Sequence, residues 1–333
     1  MQPGDLIDLL KLDFEVLVLP ELTLQPTNEL KGRKLYAAWL GCTQYTDARE
    51  CIDALESRKF QQGDILLVDH YGLDIEWEIE ITSKLVNSNM IKLVVIDDLA
   101  DRPHHCDILI DQNLFDQCSY ARYSGLTPIN CLNLFGPKYA LLRPEYAHLH
   151  PIIPTRRTLL RVFIFFGGVD KYQYTLSALD VLLKPEFSSL SIDVALGAHF
   201  PNKARVHELS SSRTNIFIHP PLPSLAGLIS RSDIGIGAGG STCWERACLG
   251  LPSLILPVAS NQYQPALALC NYTKMSMLSS SEFSESLYQS LDHLLSTPEI
   301  LCRSSILNSK LLDGRGCRIV FDEVQQFNEQ PRY

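Results

Sequence analysis

Residues 233–258, DIGIGAGGSTCWERACLGLPSLILPV, contain the clearest fold pattern in this sequence. Two apolar runs, 233–239 and 252–258, have the length and branched residues typical of buried strands, and a helical pattern lies between them. Both runs are continuous rather than alternating, which favours parallel strands that are covered on both faces. Strand, glycine-rich turn, helix and second strand together make one unit of a parallel α/β sheet.

Similar units recur along the chain and predict the α/β class throughout. Further strands are predicted at 14–20, 64–71, 91–99, 107–113, 161–168, 191–197 and 214–220. Helices are predicted between them, at 4–12, 46–60, 75–88, 174–183 and 222–232, and two more are predicted after the last strand.

Three prolines within residues 142–158 favour a linker between two domains. We therefore expect two Rossmann-like lobes, an N-terminal one over 1–148 and a C-terminal one over 149–333. The last helices of the chain would pack back on the N-terminal lobe. In sheets of this kind, ligands bind outside the carboxyl ends of the strands.

The turn of the opening stretch suits a phosphorylated ligand. Gly239 and Gly240 allow close approach to the main chain, and a helix starting at Ser241 or Thr242 offers free N–H groups and a positive dipole end. Glu245, one turn further, can accept hydrogen bonds from the vicinal hydroxyls of a ribose. The pattern therefore predicts a nucleoside diphosphate site, with the alternative that Glu245 merely favours a helix N-terminus.

A second turn of the same type follows the strand in RVFIFFGGVDKYQYTLSAL, residues 161–179. Gly167 and Gly168 precede Asp170 and a helical pattern. Two such turns in one lobe can flank one ligand. The alternative is a tight turn in which glycine supplies a positive φ.

The composition excludes several classes of partner. The chain has 333 residues and a net charge of −9, with no basic run, which argues against nucleic acid and anionic membrane surfaces. It also lacks an apolar run of about 18 residues that would suggest a membrane span. Its ten cysteines form no C-x-x-C pair and predict reduced thiols in a cytoplasmic protein. The sequence predicts no oligomeric state.

Two clusters could be mistaken for metal sites. The run HHCD, residues 104–107, is dense in metal-ligand types, but adjacent ligands on a short loop rarely converge on one ion. Asp97 and Asp98 are consecutive on a strand and point in opposite directions. We predict a polar loop for the first cluster, a carboxylate that caps the following turn for the second, and no metal.

Five motifs together resemble the UDP-2,4-diacetamido-2,4,6-trideoxy-β-L-altropyranose hydrolases of pseudaminic acid biosynthesis. They are LLVDHYGLD, VVIDDLADRPHHCDILIDQNL, FGPKYALLRPEY, FFGGVDKYQYTLSAL and the glycine-rich opening stretch with its continuation to VASNQ. The last is shared with other GT-B folds, including the lipid-II-forming N-acetylglucosaminyltransferase, whereas the first two are more specific. The resemblance implies a GT-B-like fold and hydrolysis of a UDP-sugar to UDP and free sugar, in a pathway that serves flagellin glycosylation. It implies no metal and no cofactor.

In the C-terminal lobe, the resemblance implies a UDP site. The glycine-rich helix start would hold the diphosphate, Glu245 the ribose, the second glycine turn another wall, and the VASNQ segment the sugar or its phosphate. The binding residues implied are Gly167, Gly168, Asp170, Gly239, Gly240, Ser241, Thr242, Glu245, Asn261 and Gln262.

In the N-terminal lobe, the resemblance places Tyr71 near the anomeric carbon. Consecutive strand residues point to opposite faces, so His70 would point away from the cleft if Tyr71 faces it. A packed His70 is therefore favoured over a catalytic His70, although both remain candidates.

One motif of the resembled hydrolases does not occur in this sequence. Their chains open with a strand and a G-x-G-H-x-x-R loop, whose histidine is taken to activate water, whereas this sequence opens like their second α-β unit. We therefore expect an incomplete N-terminal lobe, from a truncated reading frame or in a non-catalytic UDP-sugar-binding remnant. A GT-B glycosyltransferase is the other alternative.

Overall fold

Two structural units make up the described part of the chain. The computed structural model describes residues 7–8, 10–19, 36, 39–55, 61, 63–85, 91–115 and 119–329. The first unit contains the described residues up to Asp111, then Tyr120–Leu134 and the chain from Asp322 onward. The second contains Gln112–Ser119 and Phe135–Phe321, so residues 135–148 group with the C-terminal half of the chain.

The first unit is built on a four-stranded sheet in the order β1-β2-β3-β4. β1 pairs with β2, and β2 with β3, in parallel, for example at Leu66↔Leu93 and Val95↔Leu109. Its elements are α1 (Gln44–Leu55), β1 (Ile65–Val68), α2 (Ile75–Lys84), β2 (Lys92–Ile96), β3 (Ile108–Asp111), α3 (Ser119–Arg122) and β4 (Leu132–Phe135).

The second unit is built on a five-stranded, wholly parallel sheet in the order β7-β6-β5-β8-β9. Its strands are β5 (Arg161–Phe165), β6 (Ser191–Ala195), β7 (Ile216–His219), β8 (Ile234–Ala238) and β9 (Ser253–Leu256). The helices are α4 (Pro144–Leu149), α5 (Tyr174–Leu182), α6 (Lys203–Ser210), α7 (Ala226–Arg231), α8 (Thr242–Cys248), α9 (Ser260–Thr273), α10 (Phe283–Ser296) and α11 (Glu299–Leu311). A last helix, α12 (Gly316–Glu329), begins in this unit and ends in the first.

The central strands of this sheet are buried on both faces, as their continuous apolar runs predict. Val162 and Ile164 of β5 point into one hydrophobic cluster, and Phe163 points into a second cluster on the other face. On β8, Ile234 and Ile236 belong to the first cluster. The predicted α/β class with two parallel sheets is confirmed.

One predicted strand is wrong. Residues 14–19 of the predicted strand 14–20 form no strand, and residue 20 lies outside the described part. Phe14 and Val18 are each 66% exposed. An apolar run becomes a strand only where a neighbouring strand completes its hydrogen bonds, and none of the described strands pairs with this run. Of the predicted helix 4–12, residues 7, 8 and 10 are helical and residues 11 and 12 form a turn. Residues 4–6 and 9 lie outside the described part.

The sequence patterns also missed elements. β4 is a short strand in which Asn133 interrupts the apolar run, and α6, α9 and α10 were not predicted. The stretch 142–158, predicted as a linker, contains α4 and the buried side chains of Tyr146 and Arg156. None of the described helices has the length and apolar composition needed to cross a bilayer.

Candidate functional site

The glycine turn after β8 is held tightly between β9 and α9. Gly239 donates its N–H to the carbonyl of Leu256 at 3.1 Å. A Cβ placed on Gly239 would lie 3.2 Å from Cβ of Gln262 and 3.4 Å from Cβ of Ala266. The turn therefore packs against the first half of α9 at the carboxyl end of the sheet, where ligands of parallel sheets bind.

Polar groups line this turn. The helix begins at Thr242, and Ser241 is exposed and makes no side-chain capping hydrogen bond. The side-chain amide of Gln262 accepts from the N–H of Val258 at 3.0 Å, and its nitrogen would be 3.6 Å from a Cβ on Gly240. Asn261 precedes it on α9 and is partly buried. The structure thus brings both predicted amide residues to the helix that flanks the turn, while contact of either with a ligand stays a prediction.

Glu245 lies one turn into α8 with an unsatisfied carboxylate. Its Oε2 atom is buried and makes no hydrogen bond to any described residue. Burial raises the pKa of this carboxyl, while Tyr146, Arg246 and Arg143 lower it in part. A buried acceptor without a donor is uncommon and calls for a partner, which a ligand hydroxyl or a water molecule can supply.

The second glycine turn is shaped by a helix cap. Gly167 has φ +95°, a backbone conformation that favours glycine. Asp170 accepts the N–H groups of Tyr174 at 2.9 Å and Thr175 at 2.8 Å with its two carboxylate oxygens. Both oxygens thus cap α5, so the bonds seen here belong to the turn itself. The implied roles of Gly167, Gly168 and Asp170 in a UDP site stay predictions.

Arg246 packs against β8 just before the glycine turn, a role that the sequence pattern did not predict. Its guanidinium is fully buried and donates to the carbonyl of Ala238 at 3.0 Å, at the end of β8. A Cβ on Gly237 would lie 2.5 Å from its Nη1 atom, and one on Gly235 would lie 2.9 Å from its Cδ atom. Gly235 and Gly237 alternate along β8 and leave space on one face of the strand. This alternation was the sequence signal that a large side chain, here Arg246, could fill that space.

In the first unit, polar residues follow β1 around a cavity of about 390 Å³. Trp39, Asp69, His70 and Tyr71 line it. The expectation that His70 and Tyr71 point to opposite faces is therefore wrong, because β1 ends at Val68 and the alternation of strand side chains no longer applies.

Tyr71 and His70 are both hydrogen-bond donors in this cavity. The Tyr71 hydroxyl donates to Asp98 at 2.7 Å, and burial followed by the Asp98 charge raises the Tyr71 pKa. The Nδ1 atom of His70 accepts from the N–H of Gly72 at 3.0 Å, and burial lowers the pKa of this imidazole. A neutral His70 therefore carries its proton on Nε2, which can donate but cannot accept.

Asp69 adds a carboxylate to this cavity. Its side chain is exposed on one side, and partial burial, followed by the nearby charge of Asp98, raises its pKa. A carboxylate with a raised pKa is a stronger base than an ordinary one. Sequence analysis missed Asp69, although its position directly after a strand was a signal.

A buried ionic network lies beneath this cavity. Asp97 pairs with Arg102 at 2.7 Å, and His104 contacts Glu78 at 2.7 Å between Nδ1 and Oε1. Asp97 Oδ2 also accepts from the N–H of Ala100 at 3.1 Å, which confirms the predicted capped turn. Within the described ranges no group of residues has the arrangement of a metal site.

The network makes the stability of the first unit depend on pH. Burial alone would lower the pKa of His104, but the carboxylates of Asp97 and Glu78 outweigh it and raise the pKa from 6.5 to about 9. Burial alone would raise the pKa of Asp97, but His104 and Arg102 lower it from 3.8 to about 2. A histidine whose pKa is raised on folding stabilises the fold at pH values below the pKa that it has in the unfolded chain. An aspartate whose pKa is lowered on folding stabilises the fold at pH values above the pKa that it has in the unfolded chain.

We therefore expect the stabilisation by His104 to be complete below pH 6.5 and lost as the pH rises to about 9. The stabilisation by Asp97 should be lost only as the pH falls from 3.8 to about 2. In urea unfolding between pH 5.5 and 9.5, the free energy of unfolding of the wild type should decline as the pH rises. The decline should be smaller in His104→Gln and unchanged in the control His207→Gln, which alters an exposed histidine. Parallel curves for wild type and His104→Gln would contradict this assignment.

Comparisons with known proteins support the α/β fold and the resemblance found in the sequence. Residues 164–310 match the glycosyltransferase family 28 C-terminal domain. The chain is 29% identical, over 209 residues, to the UDP-2,4-diacetamido-2,4,6-trideoxy-β-L-altropyranose hydrolase of Campylobacter jejuni, covering 62% of this chain and 65% of the hydrolase. It is 22% identical to the spore coat polysaccharide biosynthesis protein SpsG of Bacillus subtilis, over 83% of this chain and 80% of SpsG.

Two solved structures share the fold. MurG of Acinetobacter baumannii superposes with a TM-score of 0.59 at 15% identity, covering 98% of this chain and 89% of MurG. The UDP-GlcNAc 2-epimerase of Neisseria meningitidis superposes with a TM-score of 0.55 at 14% identity, covering 98% of this chain and 90% of the epimerase. The chain is thus a GT-B-like α/β protein that carries the family 28 C-terminal match, and the resemblance to the UDP-sugar hydrolase that its motifs predicted is confirmed.

Proposed function

We propose that the second unit binds the UDP part of a UDP-sugar and that the protein hydrolyses this sugar nucleotide to UDP and free sugar. The substrate proposed is UDP-2,4-diacetamido-2,4,6-trideoxy-β-L-altropyranose, in pseudaminic acid biosynthesis. The hydrolase similarity supports this choice, although the alignment spans 65% of the hydrolase. No cofactor and no metal is proposed.

The buried, unsatisfied oxygen of Glu245 carries the proposal. It lies one turn beyond a glycine-rich helix start, which suits a diphosphate. A ribose hydroxyl can donate the hydrogen bond that this oxygen lacks. In a nucleoside diphosphate the ribose is joined to the diphosphate, so the diphosphate can lie at the helix start while the ribose reaches Glu245. The turn would hold the diphosphate through Gly239, Gly240, Ser241 and Thr242.

The residues after β1 suit the water-dependent step. In hydrolysis, the oxygen of water attacks C1, the bond from C1 to the phosphate oxygen breaks, and UDP leaves with that electron pair. The attacking water must give up a proton, and we assign its acceptance to the Asp69 carboxylate, which lines the cavity after β1 together with His70 and Tyr71 and has a raised pKa. Tyr71 and His70 would act as hydrogen-bond donors to the sugar.

The test is release of UDP from the diacetamido-altrose nucleotide by this chain, with UDP binding measured by calorimetry in the same preparation. We expect both binding and release for the wild type. Binding without release would leave a UDP-sugar-binding protein without hydrolase activity. Absence of UDP binding would refute the proposed site itself.

Two variants separate the proposed roles. Asp69→Asn should lower kcat about 10²–10⁴-fold with UDP affinity unchanged, because a general base acts on the chemical step. Glu245→Gln should weaken UDP binding about 10- to 100-fold, because it removes a charged acceptor worth roughly 1.5–3 kcal/mol. Equal kcat in Asp69→Asn and wild type would remove Asp69 from the mechanism.

A glycosyltransferase of the GT-B type is the second candidate, favoured by the match of residues 164–310 to the family 28 C-terminal domain. It would transfer the sugar to an acceptor hydroxyl instead of to water. Mass spectrometry of the products distinguishes the two, since hydrolysis in water enriched in ¹⁸O labels the free sugar. Stable UDP-sugar without added acceptor would favour transfer.

A further inference from the structure

Three polar atoms are buried without hydrogen bonds where α4 and α8 pack together. They are Oε1 of Glu145, the hydroxyl oxygen of Tyr146 and Oε2 of Glu245, and none has a partner among the described residues. Tyr146 is 1% exposed, so bulk water does not satisfy its hydroxyl. Glu145 and Tyr146 lie in the stretch predicted as a linker, and the sequence pattern predicts no role for them.

The three side chains are close enough to interact electrostatically. Burial raises the pKa of Tyr146, and the carboxylate of Glu245 raises it further, while Ser224 lowers it in part. Glu145 adds to the negative potential at both residues. Helices α4, α7 and α8 contact one another pairwise in the second unit. The Tyr146 hydroxyl therefore stays protonated beside Glu245, although it completes no hydrogen bond with it.

An unsatisfied buried hydroxyl costs roughly 1–3 kcal/mol, more than a phenylalanine of similar shape would cost at the same place. Glu245 and Ser224 lie close enough to interact with the Tyr146 hydroxyl, but neither completes a hydrogen bond of ordinary geometry with it. A ligand that brings a hydroxyl group would satisfy both orphan atoms, since a hydroxyl donates one hydrogen bond and accepts others. The carboxylate of Glu245 accepts, and the tyrosine hydroxyl donates.

We propose that Tyr146 is a specificity-determining residue that reads the ribose together with Glu245. The Tyr146 hydroxyl donates to a ribose hydroxyl oxygen, and that hydroxyl or its vicinal neighbour donates to Oε2 of Glu245. The inference rests on the proposed UDP site and adds that this site selects ribonucleotides over deoxyribonucleotides. A site built to hydrogen-bond a hydroxyl strongly rejects the analogue that lacks it, because its own polar groups stay unpaired.

Calorimetric binding of UDP, 2′-deoxy-UDP and 3′-deoxy-UDP to the full chain tests this. Wild type should bind UDP at least about 10-fold more tightly than one of the deoxy analogues. Tyr146→Phe should weaken UDP binding about 10-fold and leave the affinity for the weakly bound deoxy analogue unchanged. The variant should therefore no longer prefer UDP to that analogue. The matched control Tyr288→Phe removes a hydroxyl that bonds Glu186 at 3.0 Å and should leave all three affinities unchanged.

A second readout separates this role from a structural one. Without ligand, Tyr146→Phe should unfold at the same temperature as wild type or higher, because it removes an unpaired buried group. A wild type that binds all three nucleotides equally, or a Tyr146→Phe variant that keeps the wild-type preference, would overturn the inference while leaving the UDP site in place. A wild type that binds no UDP would instead refute the proposed function, and this inference with it.

Discussion

Arg102→Met should destabilise the first unit by about 3–5 kcal/mol, because it leaves the buried Asp97 carboxylate without its guanidinium partner. The two side chains are 1% and 0% exposed and 2.7 Å apart between Nη2 and Oδ1. The guanidinium also donates through Nε to the carbonyl of Leu73 at 2.8 Å, which the variant leaves unpaired. Urea unfolding, followed by hydrogen exchange of the β2 amides, measures the loss.

Two further variants identify the cause. Arg102→Met combined with Asp97→Asn should be more stable than the single variant, since no uncompensated charge stays buried and the asparagine oxygen can still cap the turn. Arg205→Met removes an arginine of an exposed pair with Glu208 and should leave stability unchanged. If Arg102→Met unfolds at the same urea concentration as wild type, the network does not hold this unit together.

The second large effect concerns β8. Gly237→Ala should destabilise the second unit by about 3 kcal/mol or more, at or above the usual cost of overpacking. The added Cβ would lie 2.1 Å from the carbonyl oxygen of Phe165 on β5 and 2.5 Å from Nη1 of Arg246. The first contact is with backbone in the middle of the sheet, so neither strand can move away cheaply. Circular dichroism during thermal unfolding measures the change.

A matched glycine gives the opposite sign. Gly227 lies in α7, is exposed, and has no atom within 4 Å of a Cβ placed on it. Gly227→Ala should therefore stabilise the protein by about 0.5–1 kcal/mol, the usual difference between the two residues in a helix. Equal losses in both variants would show that the contacts around Gly237 do not determine its effect.

Both units bury polar groups. In the first, Asp97, Arg102 and His104 form a buried network whose charges compensate one another. In the second, Tyr146 and Glu245 have buried polar atoms without partners. Buried polar atoms without hydrogen bonds also occur in the first unit, at Glu80, Asp97, His104 and Asn133, and those of Asp97 and His104 belong to ion pairs. We place the nucleotide on the second unit because the unpaired oxygen of Glu245 lies one turn beyond a glycine-rich turn there.

Part of the fold could be predicted from local patterns. The segment 233–258 became β8, α8 and β9 as expected, because continuous apolar runs are stable only inside a parallel sheet covered on both faces. The run 14–20 has a similar pattern, yet its described residues form no strand, because pairing depends on a neighbour that local sequence does not specify. For the same reason β4 was missed, since its four residues form a strand beside β3.

Strand burial, turn geometry and helix periodicity are local properties, so the residue pattern alone predicts the α/β class, the glycine turns and the position of Glu245 one turn into a helix. The surroundings of that carboxylate depend instead on tertiary packing. Tyr146 reaches Glu245 from a helix that the sequence presented as a linker, and Arg246 is buried because β8 has glycines where its side chain lies. Such contacts join residues far apart in the chain, and packing rather than local propensity selects them.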